Sequence, residues 1–477
     1  MIGGSSSNNF MIYSQIFASD YNKWSETTGC KNWNWDSVND YFFQIEENSV
    51  KPTKSTELGK LWNEAWKNGS AKVQEDNMQF FIKNGLRWDS SKEHLYGASK
   101  RPNVYIFSET YVKRILFHEL DKRHGLERAY AIEIKNKNSI KNIYVNKDVI
   151  LSGGAIQNVR ILKKSLSDVK SNKNWDSIGK KLKDHIFVPL FFEIENPEIF
   201  GYSTSISSML ESFFSYLFQS KSFLAQTMID GGQVYLDTNL NCSNWTLIQF
   251  SPNIQIALIS SLIDAISLDR IFSKYLDPVG LNIFKKMVSK AATKNGFSIF
   301  IVLVQPLSTG TIDYTTTFEI DPNYLSQKED VISLLVALNR VLSLIKESKA
   351  FRNMNIKLLK PHDDENEFVK TCYLDGMEEI EAATSSINET DFNKRYWVCY
   401  IKQVSYSIFH FQGTVKFGHE NATDYPLDCN LKLRNTSNVH VVDASVIPHP
   451  ISGGLQSVVL MIAEKFSKEF QFSSDET

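Results

Sequence analysis

The sequence predicts an α/β layer combined with an α+β part, and three observations carry that expectation. Short β-branched runs fill the stretch between Asn103 and Gly154. The last of them leads through two glycines into a helix. Further on, an apolar stretch broken at Pro306 and Gly310 is followed by a long amphipathic run from Asp330 to Lys349. A chain of 477 residues, 42% hydrophobic and with 31 phenylalanines, can bury a core large enough for two such parts.

Taken in order, Val38, Tyr41, Phe42 and Ile45 recur at spacings of three and four. They predict a helix over Ser37–Glu47 with Asp36 as its N-cap. The runs NVYIF, YVKRILF, RAYAIEI, KNIYV and DVILSGG read as strands separated by polar breaks. DVILSGGAIQNVRIL is a strand, a glycine turn and a helix beginning near Ala155, the unit of an α/β layer. From Gly201 to Lys294 the pattern reads as mostly helical, with Phe213, Phe214, Leu217 and Phe218 on one face. GFSIFIVLVQPLSTGTIDYTTT then reads as two strands of an antiparallel hairpin, and Asp330–Lys349 as a helix with Val331, Leu334, Leu338, Val341 and Ile345 on its stripe.

Composition excludes several function classes. The 52 basic and 54 acidic residues nearly cancel, so nothing steers the chain toward nucleic acid or anionic lipid, and a small neutral partner is expected. Five cysteines at Cys30, Cys242, Cys372, Cys399 and Cys429 show no metal-ligand or CxxC spacing, and an odd count leaves at least one unpaired. No metal site is expected. Acceptor tripeptides at Asn68, Asn241, Asn244, Asn388, Asn421 and Asn435 permit N-glycosylation. The first residues lack the basic and apolar regions of a secretory signal. The most apolar stretches, 254–266 and 297–304, are too short or too broken to span a membrane.

Several short strings occur together in one order. They are GGSSSNNFMIY at Gly3–Tyr13, DYNKW at Asp20–Trp24, NVYIFSETYVKRILF, VILSGGAI, GKKLKDH at Gly179–His185, QPLSTG at Gln305–Gly310, His410 with Gly413 and Thr414, and Asp443, Ala444, Ser445 and Pro448. In that order they resemble the glucose-methanol-choline (GMC) flavin oxidoreductases over nearly the whole chain. CYIKxxxxxxxHxxGT and the long insert are nearest in flavour to insect-type glucose dehydrogenases and ecdysteroid oxidases.

The resemblance implies the GMC fold. An incomplete Rossmann-like FAD-binding part would be assembled from residues 1–15, 96–190 and 426–477, and a mixed antiparallel-sheet and helix substrate part from 16–95 and 191–425. It implies FAD-dependent oxidation of an alcohol CH–OH group, with oxygen or a quinone as electron acceptor. His410 would be the base, and Gly454 and Gln456 would line the second catalytic position. Gly3, Gly4, Asn9, Val112, Asp443 and Ala444 would touch FAD. Val112 and Ala155 read equally well as packing residues of the sheet, and Asp443 as the cap of its turn.

Two departures from the pattern stand beside these matches. No strand–GxGxxG–helix unit occurs anywhere in the sequence, whereas the family uses one to receive the FAD pyrophosphate. Glycine, at Gly454, occupies the position where the family carries a His or Asn. Gln456 two residues on, or His449 five before, would have to replace it. Two functional expectations follow: an N-terminally truncated form of an FAD-dependent alcohol oxidoreductase, or a non-catalytic descendant that binds an apolar or steroid-like ligand.

Overall fold

The computed structural model describes the chain apart from residues 1, 15, 53–54, 68–71, 74–78, 119–125, 138, 168, 170–174, 196–228, 239–251, 260–277, 292–293, 315–316, 362–363, 373, 388–391, 420–423 and 471–477. After a 3₁₀ turn at Gly4–Ser7 and a short strand at Ile12–Tyr13 come two α-helices, α1 (Ala18–Thr28) and α2 (Trp35–Ser49). The α2 stripe of Val38, Phe42 and Ile45 is buried as its spacing demands. Its cap is Asn34, not Asp36: the Asn34 carboxamide oxygen accepts the Ser37 amide at 3.0 Å, so the helix starts two residues earlier than the sequence suggests. After α3 (Glu57–Lys67), a three-stranded antiparallel sheet runs β1 (Thr110–Phe117), β2 (Ala129–Asn136) and β3 (Ser139–Tyr144).

β4 (Val149–Leu151) then enters Gly153, Gly154 and helix α4 (Gly154–Leu166). Gly154 has φ +83, a conformation that strains any side chain, and this explains the glycine at the strand-to-helix corner. Much later, β12 (Val439–Val441) lies parallel to β4 in register Val149↔Val439 to Leu151↔Val441. The closing helix α8 (Leu455–Glu469) packs against α2.

The second layer is a seven-stranded antiparallel sheet. Its long strands lie side by side as β5 (Ile186–Glu193), β8 (Gly296–Leu303), β7 (Ile254–Ile259) and β6 (Ile229–Leu236). β5 reads IFVPLFFE and is buried along nearly its whole length, as expected of a strand covered on both faces. Pro189 has no amide for the ladder, but its carbonyl accepts the Tyr400 hydroxyl at 2.6 Å from the helix α7 (Lys394–Val404) that covers the sheet. Helices α5 (Pro278–Ala291) and α6 (Lys328–Glu347) complete the cover. Two large apolar clusters result. One lies under this sheet and its helices; the other joins α1, α2, β4, α4, β12 and α8. Antiparallel sheets with mixed helices and one parallel strand pair agree with the expected fold class.

Three expectations fail. NVYIF forms no strand; residues 104–107 have no ladder partners, and Tyr105 and Phe107 are exposed. Apolar runs alone do not make a strand where no neighbour supplies hydrogen bonds. The supposed hairpin at Gln305–Gly310 is no hairpin, because β8 belongs to the seven-stranded sheet while β9 (Thr311–Tyr314) pairs with β10 (Phe318–Asp321). The stretch expected to be mostly helical contributes β6 and β7, and Phe213, Phe214, Leu217 and Phe218 lie outside the described residues.

Cysteine pairing was also not legible from spacing. Cys30 is bonded to Cys429 across 399 residues, and Cys372 to Cys399 across 27. Cys242 lies outside the described residues. The first bond joins the turn after α1 to the segment before β12, next to Trp33, whose indole N–H donates to the Cys429 carbonyl at 2.8 Å. Replacing both Cys30 and Cys429 by serine is expected to cost about 2–5 kcal/mol of stability. Thermal unfolding of the variant beside the parent, each with and without reductant, checks it: the two should differ without reductant and match when both are in reductant, where Cys372–Cys399 is open in each.

Candidate active site

His410 is held by a run of chain that folds back antiparallel on the start of β5. β11 (Tyr406–Ser407) pairs with Phe187 and Ile186, the Ile408 amide donates to the His185 carbonyl, and Gln412 and Lys183 exchange both backbone hydrogen bonds. The strand ends at Ser407. Phe409 sits at φ +61, so the alternation that suggested a strand through His410 is broken by a left-handed residue just before it.

Asp184 fixes this bend. Its carboxylate accepts the His410 amide at 2.8 Å and the hydroxyls of Ser407 and Tyr324 at 2.5 Å each. Burial pushes its pKa up to about 7 against the opposing pull of these donors. The His410 ring is half-buried, and burial pushes its pKa down to about 4, which keeps the imidazole neutral at neutral pH. Its Nδ1 lies 3.0 Å from Nδ1 of His185, with the rings edge to face. Nε2 has no hydrogen-bond partner among the described residues.

The HxxGT and DASxxP strings are stitched together by main chain. Gly413 and Val415 donate to the carbonyls of Ala444 and Ser445, and Thr414 donates its hydroxyl to the Ala155 carbonyl at 2.7 Å. Gly413 has φ +75, and a Cβ there would press on the Ile447 and Lys181 carbonyls. Asp443 is buried, with its carboxylate accepting Gly154 N at 2.6 Å, Asn158 Nδ2 at 2.7 Å and Ser445 N at 2.9 Å. It therefore caps the Ala444–Val446 turn and the N-terminus of α4, placing an anion where that helix favours one. Ala444 and Val112 are partly buried at the margin of the second apolar cluster.

At the other end of the constellation, Gly454 is the N-cap of α8. It offers no side-chain acceptor, and its amide donates to Ser14 Oγ at 2.8 Å. Gln456 turns toward the N-terminal segment, where Asn9 Nδ2 donates to its Oε1 at 2.5 Å across 447 residues. Asn9 Oδ1 in turn accepts from Met11 N and Arg87. Gly3 and Gly4 adopt positive φ, and nothing lies within 4 Å of a Cβ built on Gly4. The His449 carbonyl accepts the Trp24 indole N–H at 2.8 Å, while burial pushes the ring's pKa down to about 4.

Sequence reasoning missed three side chains that matter here. Asp184 and His185 were visible only as the end of GKKLKDH, an acid and an imidazole side by side. Asp20 was visible only within DYNKW. It is buried, and it joins Ser452 N and Gln305 Nε2 at 2.8 Å each, so two of the strings and the loop before α8 meet at one carboxylate. Among the described residues no group of three or more His, Cys, Asp or Glu could hold a metal ion, and no helix is long and apolar enough to cross a membrane. Asp184→Asn turns one acceptor into a donor facing donors. It is expected to cost about 1–3 kcal/mol of stability while keeping the fold, checked by urea unfolding and far-ultraviolet circular dichroism.

The family description "GMC oxidoreductase" matches residues 1–187 and again residues 306–463. The chain is 24% identical over 507 residues to an alcohol dehydrogenase [acceptor] of Pseudomonas putida, covering 97% of this chain and 80% of that protein. It is 23% identical over 511 residues to a glucose dehydrogenase [FAD, quinone] of Drosophila pseudoobscura pseudoobscura, covering 98% and 73%. Among solved structures, pyridoxine 4-oxidase from Mesorbium loti superposes with a TM-score of 0.70 at 17% identity, over 98% of this chain and 84% of that one.

Proposed function

Because the chain belongs to the GMC oxidoreductase family, whose members are FAD-dependent, we propose that it oxidises the CH–OH group of a small alcohol, with His410 as the proton acceptor. The observation that carries this reading is His410 itself: a neutral imidazole on the HxxGT segment, anchored by Asp184 and with no hydrogen-bond partner for Nε2 among the described residues.

The residues present fit the ring end of the cofactor. The N-terminus of α8 carries no side-chain cap, so its first amides and roughly half a positive charge suit an anionic ring edge. Open space at Gly4 and Gly154, where a Cβ would meet nothing within 4 Å, suits close approach of a ligand to backbone. Gly3, Gly4, Asn9, Val112 and Ala444 would line it. Asp443, its carboxylate committed to Gly154, Asn158 and Ser445, would act by fixing the turn that lines it. When bound, FAD supplies the hydride acceptor, a chemistry no side chain provides.

The protein's share is placement and proton transfer. A substrate hydroxyl presented to Nε2 of His410 gives up its proton to a group already neutral at pH 7, and such a base contributes about 10²–10⁴-fold in rate. Asp184 holds the base by its main chain. Gln456, tied to Asn9, and the Gly454 amide, tied to Ser14, make the second wall. The reoxidant would be oxygen or a quinone.

Gly454 favours a second reading, a descendant that binds an apolar or steroid-like ligand without turnover, since glycine offers an alcohol no side-chain hydrogen bond. Absorbance in the flavin region that bleaches on adding an alcohol, together with reduction of a quinone or dye, supports the oxidoreductase. A colourless full-length protein that reduces neither sinks it. His410→Ala should lower kcat by about 10²–10⁴-fold with the flavin spectrum retained.

The pH profile follows from the groups facing the base, Asp184 and His185. A folded pKa near 4 for His410, below the ordinary value of about 6.5, means the active neutral form persists as pH falls past 6. The stability that this neutral ring contributes is full above about 6.5 and is lost as pH falls toward 4. The acid limb of kcat/KM should lie near pH 4, and stopped-flow reduction across pH 4–8 checks it.

A further inference from the structure

Behind His410 stands a second imidazole with no place in the proton transfer just described. His185 is completely buried, at 0% exposure, while His410 is half-buried. Two ring nitrogens 3.0 Å apart make a hydrogen bond only if one carries a proton and the other a lone pair. The neutral forms therefore come in two coupled arrangements. In one, His185 Nδ1 donates, His410 carries its proton on Nε2, and that nitrogen cannot accept anything. In the other, His410 Nδ1 donates to His185, and His410 Nε2 is a bare lone pair.

We propose that His185 is a positioning residue that locks His410 in the second arrangement, with Nδ1 protonated toward His185 and Nε2 open as the proton acceptor. The inference deepens the alcohol-oxidation reading and rests on it for its functional meaning. Two neighbours of the buried ring select the arrangement. The Val304 carbonyl faces the His185 ring and stabilises an N–H on it; with Nδ1 turned to His410, that N–H belongs on Nε2. Gln412, also fully buried, reaches His185 Nε2 at 3.1 Å with its carboxamide, and the oxygen of that carboxamide has no partner among the described residues. Turning the amide over sets the oxygen on the His185 Nε2–H and leaves His185 Nδ1 as a lone pair, in exchange for the longer 3.3 Å bond that Gln412 Nε2 otherwise donates to the His410 carbonyl.

The resulting chain runs Gln412 oxygen, His185, His410, all within the 183–187 and 406–412 pairing. It repeats the logic by which a base is held in its working tautomer by a third group. No net charge is required of His185, which suits a ring whose burial strongly disfavours protonation.

Imidazole ¹⁵N resonances of the full-length protein, labelled at histidine and assigned with His410→Gln, read the tautomer without any need for flavin or turnover. The expected result above pH 5 is a protonated Nδ1 and a bare Nε2 on His410. That pattern should persist in His185→Asn, whose side-chain oxygen accepts the same hydrogen bond, and give way to mixed tautomers in His185→Phe. For alcohol oxidation, His185→Phe should lower kcat about 10- to 100-fold, as loss of an outer partner of a functional histidine does. KM should hardly move, and His185→Asn should recover most of the rate. A proton on His410 Nε2 in the parent protein overturns the proposal, as does a His185→Phe variant with unchanged tautomer and kcat. Should His185→Phe fail to fold, the parent spectrum and His185→Asn decide. If His410→Gln keeps full turnover while the tautomer result stands, the base assignment fails and the lock does not.

Discussion

One buried carboxylate governs the geometry around His410. Asp184 gathers the His410 amide, the Ser407 hydroxyl and the Tyr324 hydroxyl, and thereby joins the start of β5, the bend after β11 and the loop after β10 at one point. Main-chain pairing on both sides, from Ile408 to His185 and from Gln412 to Lys183, fixes the bend in register. Removing water from such a carboxyl is costly unless its oxygens are filled, and here three donors fill them. The His410 main chain thus takes its place from a sheet edge and an acid, while its ring meets His185.

A second carboxylate does the same for the other half of the constellation. Asp443 binds the glycine turn at the head of α4, the Asn158 side chain and its own Ser445 turn, so the late DAS segment and the early VILSGG segment are one unit despite lying 289 residues apart. Asp20 adds a third junction among α1, Gln305 and Ser452. Each junction is an acid that takes several donors from distant segments.

Much of this was legible in the sequence, for reasons that differ by feature. The α2 stripe, β1 to β4, the helix after Gly154 and the helix α6 follow from local periodicity and glycine punctuation, and these survive. NVYIF, the presumed hairpin at Pro306 and the helical reading of β6 and β7 fail because strand partnership is a tertiary fact that an apolar run does not encode. His410, Gly413 and Asp443 could be named from their strings. The roles of Asp184 and His185 could not, since their partners lie more than two hundred residues away at His410. Likewise the cysteines announced no pairing, because Cys30 and Cys429 become neighbours only after both ends of the chain reach the same cluster.

The 399-residue span of that first cross-link has a consequence for how the molecule is made. Chain synthesis at about 5–20 residues per second keeps Cys30 waiting for roughly 20–80 s before its partner thiol exists. During that interval the first helices can gather only transient neighbours. The covalent clasp can close only once Cys429 has been made, and a chain whose synthesis stops short of it carries Cys30 without its partner thiol.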